Sequence, residues 1–144
     1  MANEVTVTAA DVRPQHGFKS FRAYATEALA FGDAVYVDSA VGDLPHISKA
    51  DASAVDALLV AVGIVVSGSV SNPGATTIAA GDVVDVVYSG PVTGYSSMTP
   101  GQTIWLSDTV GRLSTVAGTK STVIGVALTA STVLVNVGWY LRAS

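Results

Sequence analysis

The chain contains no cysteine. Disulfides, thiol nucleophiles and cysteine-ligated zinc are thereby excluded, so stability must rest on packing and backbone pairing. Charge is scarce too: 12% of the 144 residues are Asp, Glu, Lys or Arg, about half the usual share. Only 7 are basic and the net charge is −4, which argues against the basic patch that a nucleic-acid binder uses to neutralise phosphates. Long apolar runs are missing. The longest extends only from Ala57 to Val66, whereas a bilayer-spanning helix needs about 20 residues. The polar, acidic start Met1-Ala-Asn-Glu-Val5 does not read as a secretion signal.

Reaction chemistry is equally thin. The nucleophile elbow, the phosphate loop and the dinucleotide fingerprint are absent. The only histidines, His16 and His46, form no H-x-x-x-H pair. Each follows a nearby proline, Pro14 or Pro45, in a loop-like setting that suits a surface residue. A triad assembled from distant positions is not excluded by spacing, but nothing marks one. The expectation is a protein that is not an enzyme and that holds no cofactor and no metal.

What the chain does have is a repeat. Gly32-Asp-Ala-Val-Tyr-Val-Asp-Ser-Ala-Val-Gly-Asp-Leu44 returns as Gly101-Gln-Thr-Ile-Trp-Leu-Ser-Asp-Thr-Val-Gly-Arg-Leu113, and a shorter copy begins at Gly81-Asp-Val-Val-Asp-Val-Val-Tyr88. A turn glycine opens each unit, and an alternating stretch follows it. Val35 and Val37, Val84 and Val86, and Ile104 and Leu106 fall on one face; Tyr36, Asp85 and Trp105 point the other way. That period of two is the pattern of strands with one face committed to a core. Val62-Gly-Ile-Val-Val66 matches Ile124-Gly-Val-Ala-Leu128 in the same manner, and a glycine inside a strand marks a bulge, a bend or a close backbone approach.

The remaining segments fit around these units. Phe21–Ala25 reads as a strand, as does Val133–Trp139, with Val133, Val135, Val137 and Trp139 on one face. The insertion Ser48–Leu59 suits a short helix or a loop, with Ser48 or Asp51 as N-cap. Residues 1–18 carry an alternating Val5-Thr-Val-Thr8 followed by Pro14 and Gly17, and read as an arm on a neighbour or a frayed terminus. About eight short strands separated by turn signals point to an all-β fold, a small antiparallel barrel or sandwich. The expected division is an arm over 1–18 and a single β-domain over 19–144.

Asp33, Asp38 and Asp43 offer hard oxygen ligands at regular steps. The second copy carries Gln102, Ser107 and Arg112 there, so the unit does not need the carboxylates, and turn chemistry explains them better. Tyr36 and Trp105 share one repeat position, as anchors of a protein interface, as a platform for sugars, or as residues buried by a second sheet. The same alternatives cover Trp139 and Tyr140. Low charge on a small domain further suggests that other protein covers part of its surface.

The residues Ala28–Asp38, Val62-Gly-Ile64, Gly81-Asp-Val-Val84, Gly101–Ser107 and Val123–Leu128 resemble the capsid decoration, or cement, proteins of tailed bacteriophages, whose fold is described as a β-tulip. The resemblance covers residues 28 to about 137. It implies a homotrimer, made in the host cytoplasm, that docks on the outer surface of the expanded head. There it would bridge major capsid subunits against the pressure of packaged DNA. In that setting an N-terminal arm would offer Val5, Val7, Val12, Arg13 and Phe18 as contacts, beside Tyr36, Trp105, Trp139 and Tyr140. A tail or fibre subunit, or a sugar-binding module using Tyr36, Trp105 and Tyr95, are the competing readings.

Overall fold

The computed structural model describes residues 4–41, 44–52, 61–67 and 77–137. Along the chain run β1 (Thr6–Val7), a 3-10 turn (Ala9–Asp11), β2 (Arg13–Pro14), β3 (Lys19–Ala25), β4 (Leu29–Ala30), β5 (Ala34–Val41), β6 (Leu44–Lys49) and β7 (Ala61–Ser67). Then come β8 (Thr77–Ile78), β9 (Val83–Thr93), β10 (Tyr95–Ser96), β11 (Thr103–Leu106), β12 (Leu113–Ser114), β13 (Val123–Ala127) and β14 (Thr132–Asn136). The fold is an all-β sandwich. The strands outnumber the eight expected because several are two-residue ladders that fasten turns.

One strand organises the rest. The first half of β9 pairs on one side with β3 and on the other with β7. Since β3 pairs with β6, β6 with β5 and β5 with β7, these five strands pair in a ring. The ten-stranded sheet as a whole does not close: β12 and β2 remain at its ends. Inside the ring lie Ala23, Ala25, Val35, Ile47, Val65, Val84 and Val86, with Leu29 and Ile78 added to the same cluster. Alanine and valine dominate because a five-stranded ring leaves little room between its walls. At Gly90 (φ +120°) β9 leaves the ring, and Ser89–Thr93 continue into a second layer beside β14, β13, β11 and β12. A second core lies between this layer (Ile104, Leu106, Ile124, Val133, Val135) and the outside of the ring (Ala34, Ile64, Val66, Val87). Burying side chains of that size is worth roughly 1.5–3 kcal/mol each.

The sequence repeat is a repeat of one hydrogen-bonding device. In Ala30–Asp33, Ala79–Asp82 and Thr99–Gln102 the fourth N–H donates to the first carbonyl at 3.1, 3.2 and 3.0 Å. The third residue is Gly32, Gly81 or Gly101, at φ +96°, +98° and +87°, the left-handed geometry that a type II turn requires there. Each glycine N–H then donates to a carbonyl of a neighbouring strand: Val65, Ala25 or Ala127 respectively. The same neighbour donates back to Asp33, Asp82 or Gln102, and all six bonds measure 2.7–3.0 Å. The turn thus sets the register of the strand that follows it. Ala34 faces Ile64, Val83 faces Tyr24, and Thr103 faces Val126. The Gly32 and Gly101 units even share a bulge, after Val35 and after Ile104.

The strand glycines have a separate cause. A Cβ on Gly63 would overlap the Val87 carbonyl oxygen, and one on Gly125 the Leu134 carbonyl oxygen. Close approach of the next strand therefore forbids any side chain at either site.

Three expectations need correction. Ser48 does not cap a helix: β6 runs through Lys49, and the Ser48 hydroxyl donates to Asp38 Oδ2 at 3.0 Å. Residues 53–59 of that insertion lie outside the described residues. Val37 is not in the core: it keeps the register of Val35 and pairs with the buried Ile47, yet it is 43% exposed. Residues 4–18, expected as an arm or a frayed end, belong to the domain itself. β1 pairs with β10, β2 with β9, and the Val5 N–H donates to Leu113 O. Val5 and Val12 are 2% and 4% exposed within the second core, since apolar residues this near an open core gain more from burial than from solvent.

Candidate interaction surface

The expected contact residues separate into distinct environments. Val5 and Val12 are buried in their own chain and Val7 packs half-buried beside them. Arg13 is exposed at the end of the second layer, opposite Thr93. Phe18 is 43% exposed, with its backbone against Gly90. Tyr36 packs against the second core, and burial raises its phenol pKa above the ordinary value, with Asp38 adding to the effect. Trp105 is half-buried on the outer side of the second layer. Trp139 and Tyr140 lie outside the described residues. The structure therefore does not gather these residues into one site.

Tyr95 is removed from any sugar platform. It is 4% exposed, and its hydroxyl donates to Gly32 O at 2.9 Å. Burial is the main reason its pKa is pushed far up, the nearby Asp33 carboxylate being the next. Asp33 itself is 7% exposed and accepts the Ala30 N–H at 2.8 Å. Burial raises its pKa; the Ala30 hydrogen bond, Lys49 and Arg112 oppose that rise without cancelling it. Its carboxylate thus closes a turn between the two cores.

Three surface features were not foreseen. On the outside of the ring Tyr24 stacks on His46, with ring centroids 4.5 Å apart. Beside them the Thr26 hydroxyl bonds Ile47 O at 2.7 Å and contacts Ser48 Oγ, and both hydroxyls reach Asp38. The Ser48 hydroxyl donates to Asp38 rather than to His46. Among the described residues no group of His, Asp and Glu is placed to hold a metal ion. Phe21 and Tyr88 approach at 6.1 Å on the paired strands β3 and β9.

The third feature is the outer face of the second layer. Cross-strand pairing places Trp105 beside Val123, Thr103 beside Val126, Val126 beside Leu134 and Leu134 beside Pro91. An uncharged stripe therefore crosses four strands. Val123 is 42% exposed, and Trp105, Val126, Leu134 and Pro91 are half-buried. The sequence did carry a trace of it. Val123-Ile-Gly-Val126 is apolar at consecutive positions, which a strand with a solvated outer face would not be.

A scan against protein-family models matches none of them, and no curated protein matches the chain. Among the described residues no helix is long and apolar enough to cross a membrane.

Proposed function

We propose that this chain is a structural protein of the phage-head decoration type. Three copies associate, bind the outside of the expanded capsid, and bridge neighbouring major capsid subunits. The protein acts by binding alone, without catalysis and without a cofactor or metal.

The observation that carries the reading is that the turn glycines of the resembling segments, Gly32, Gly81 and Gly101, each build the same turn-and-strand device. Gly32, Gly81 and Gly101, with their partners Val65, Ala25 and Ala127, are joined by the same pair of hydrogen bonds three times over. Two further features support it. The charged residues are few, and the second layer carries an uncharged stripe, as suits a protein surrounded by other subunits. A site present only on the assembled, expanded lattice lets binding stabilise that lattice by mass action. Several weak contacts per oligomer then add up through avidity.

Co-sedimentation tests this directly. The purified protein should pellet with expanded heads that lack it and remain in the supernatant with unexpanded heads. Failure to bind either would remove the capsid reading and leave a tail subunit or a sugar-binding module. The sugar reading has already lost Tyr95 to the core, so it would have to use Trp105 or the Tyr24–His46 stack.

A further inference from the structure

We propose that the outer edge of β3, Lys19–Arg22, is a docking site for an extended, acidic segment of another protein, which joins the sheet there as an added strand. The site does not depend on the capsid reading, because its partner is specified by backbone groups and by charge.

The edge is open for a reason that starts in the sequence. Ala25 bonds toward β9, its N–H donating to Asp82 O and its carbonyl accepting from Gly81, whereas the Thr26 N–H donates to Ile47 O on the β6 side. Successive residues of a strand turn their N–H and C=O groups to opposite sides, so Ser20, Arg22 and Tyr24 address the β6 side. There the ladder stops: β3 and β6 pair only at Tyr24–His46 and Ala25–Ile47. To continue it, the Arg22 carbonyl would need the N–H of residue 45, and Pro45 has none. Among the described residues the groups of Ser20 and Arg22 on this edge have no backbone partner. The opposite edge of β3 is held by β9 from Lys19 to Tyr24. Lys19, Ser20 and Arg22 are exposed. Such an edge is satisfied by water or by another extended backbone.

Charge and side chains narrow the partner. Residues 13–22 run along one side of β9, from Arg13 opposite Thr93 to Arg22 opposite Asp85. Arg13, Lys19 and Arg22 are three of the 7 basic residues, and no acidic residue lies among them, in a chain of net charge −4. Arg22 makes a long, exposed ion pair with Asp85 at 3.7 Å, and neither Arg13 nor Lys19 has an ion-pair partner among the described residues. Two copies of this edge would bring like charges together, whereas an Asp or Glu on an incoming strand meets Arg22, with Lys19 and Arg13 nearby. On the other face of β3, Phe21 is half-buried and its ring centroid lies 6.1 Å from that of Tyr88, which is 39% exposed. A strand laid beside β3 would set an apolar side chain against that pair, since residues opposite each other share a face. The partner is thus an extended segment in which apolar and acidic residues alternate.

The test uses the full chain and a short capped peptide in which Val and Glu alternate. Two N-methylated versions lack the amide hydrogens of the Val set or of the Glu set, and only one set can face β3. Amide exchange is followed by NMR with and without peptide. Saturating peptide should slow exchange at Ser20 and Arg22 about tenfold or more and leave the amides of β13 unchanged. One methylated peptide should bind like the parent and the other should not bind. Ser20→Pro removes an edge N–H that β9 does not use, so it should keep the fold, as circular dichroism would verify, and weaken binding about tenfold or more. Arg22→Glu keeps every backbone group and should also weaken binding, with Lys120→Glu as the control of equal charge change. No binding of the parent peptide, equal binding of both methylated peptides, or exchange at Ser20 and Arg22 as slow as at the paired Thr26 in the free protein would each overturn the site. Protection that grows with protein concentration in the absence of peptide would assign the edge to a second copy and overturn the choice of partner. Head binding is scored separately, so its failure and the failure of this site are distinguishable.

Discussion

Asp33 and Gln102 make the same hydrogen bond in two different settings, and exchanging their chemistry tests why each residue is there. Asp33 Oδ2 accepts the Ala30 N–H at 2.8 Å and Gln102 Oε1 accepts the Thr99 N–H at 3.1 Å. The first site is nearly closed to solvent, with Asp33 7% exposed, whereas the second is exposed. Removing the acceptor should therefore cost unequal amounts. Asp33→Ala strands a shielded N–H and should lose about 2 kcal/mol, while Gln102→Ala lets water replace the side chain and should lose about 0.5 kcal/mol. For a domain of this size that is roughly 6 °C against 1–2 °C in Tm. Asp33→Asn keeps an acceptor and removes a charge that burial disfavours. Because burial raises the folded-state pKa of Asp33 above 3.8, the native state holds its proton more tightly than the unfolded chain. The Asp33 contribution is greatest below the unfolded pKa and declines as pH rises through the folded value. Asp33→Asn should thus equal or exceed the wild type at pH 7 and abolish that decline. Urea unfolding of the three variants and the wild type between pH 3.5 and pH 7 measures all of this. If Asp33→Asn loses as much at pH 7 as Asp33→Ala, the charge itself is needed, with Lys49 and Arg112 as its partners, and the desolvation argument is wrong.

Other outcomes follow from the same contacts. Gly125→Ala should destabilise by about 3 kcal/mol or prevent folding, since its Cβ meets a carbonyl oxygen, whereas Gly101→Ala, in open space at φ +87°, should cost only about 1–2 kcal/mol of backbone strain; thermal melts compare the two. Tyr95→Phe leaves the Gly32 carbonyl without its buried donor and should cost about 1–2 kcal/mol in denaturant titration. Val12→Ala, in the segment expected to be an arm, should lose about 2 kcal/mol, and unchanged stability would restore the arm reading. Deleting residues 1–18 should consequently lower the melting temperature as well as any capsid binding.

How far the sequence carried the fold can be judged at particular positions. The turn glycines and the alternation after them located β5, β9 and β11, because a type II turn and a half-buried strand each leave a local mark. The strand glycines announced a close approach and had one. The ring was not legible: it depends on β9 pairing with both β3 and β7, strands far apart in the chain. Nor was the burial of Val5 and Val12, since alternation tells which residues share a face but not what covers it. The same limit applies to Tyr36 and Trp105, identical in repeat position and both half-buried, the first against the second core and the second on the outer side of its layer. Val37 shows the same limit: it holds the face the alternation gave it, opposite Ile47, and is still 43% exposed. For the surface, sequence placed Trp105 opposite Ile104 and Leu106 without settling what covers it, and it missed Val123, Val126 and Leu134, which join it only through cross-strand register.

The continuity of β9 through Gly90 has a mechanical consequence. Its first half is a wall of the ring and its second half a strand of the outer layer, so no linker separates the two cores. A tangential pull on the outer layer would load the backbone bonds of β9 in shear, several at once, before any of them could open singly. A molecule of this kind should yield at one high force in a single step, with no slack to take up beforehand.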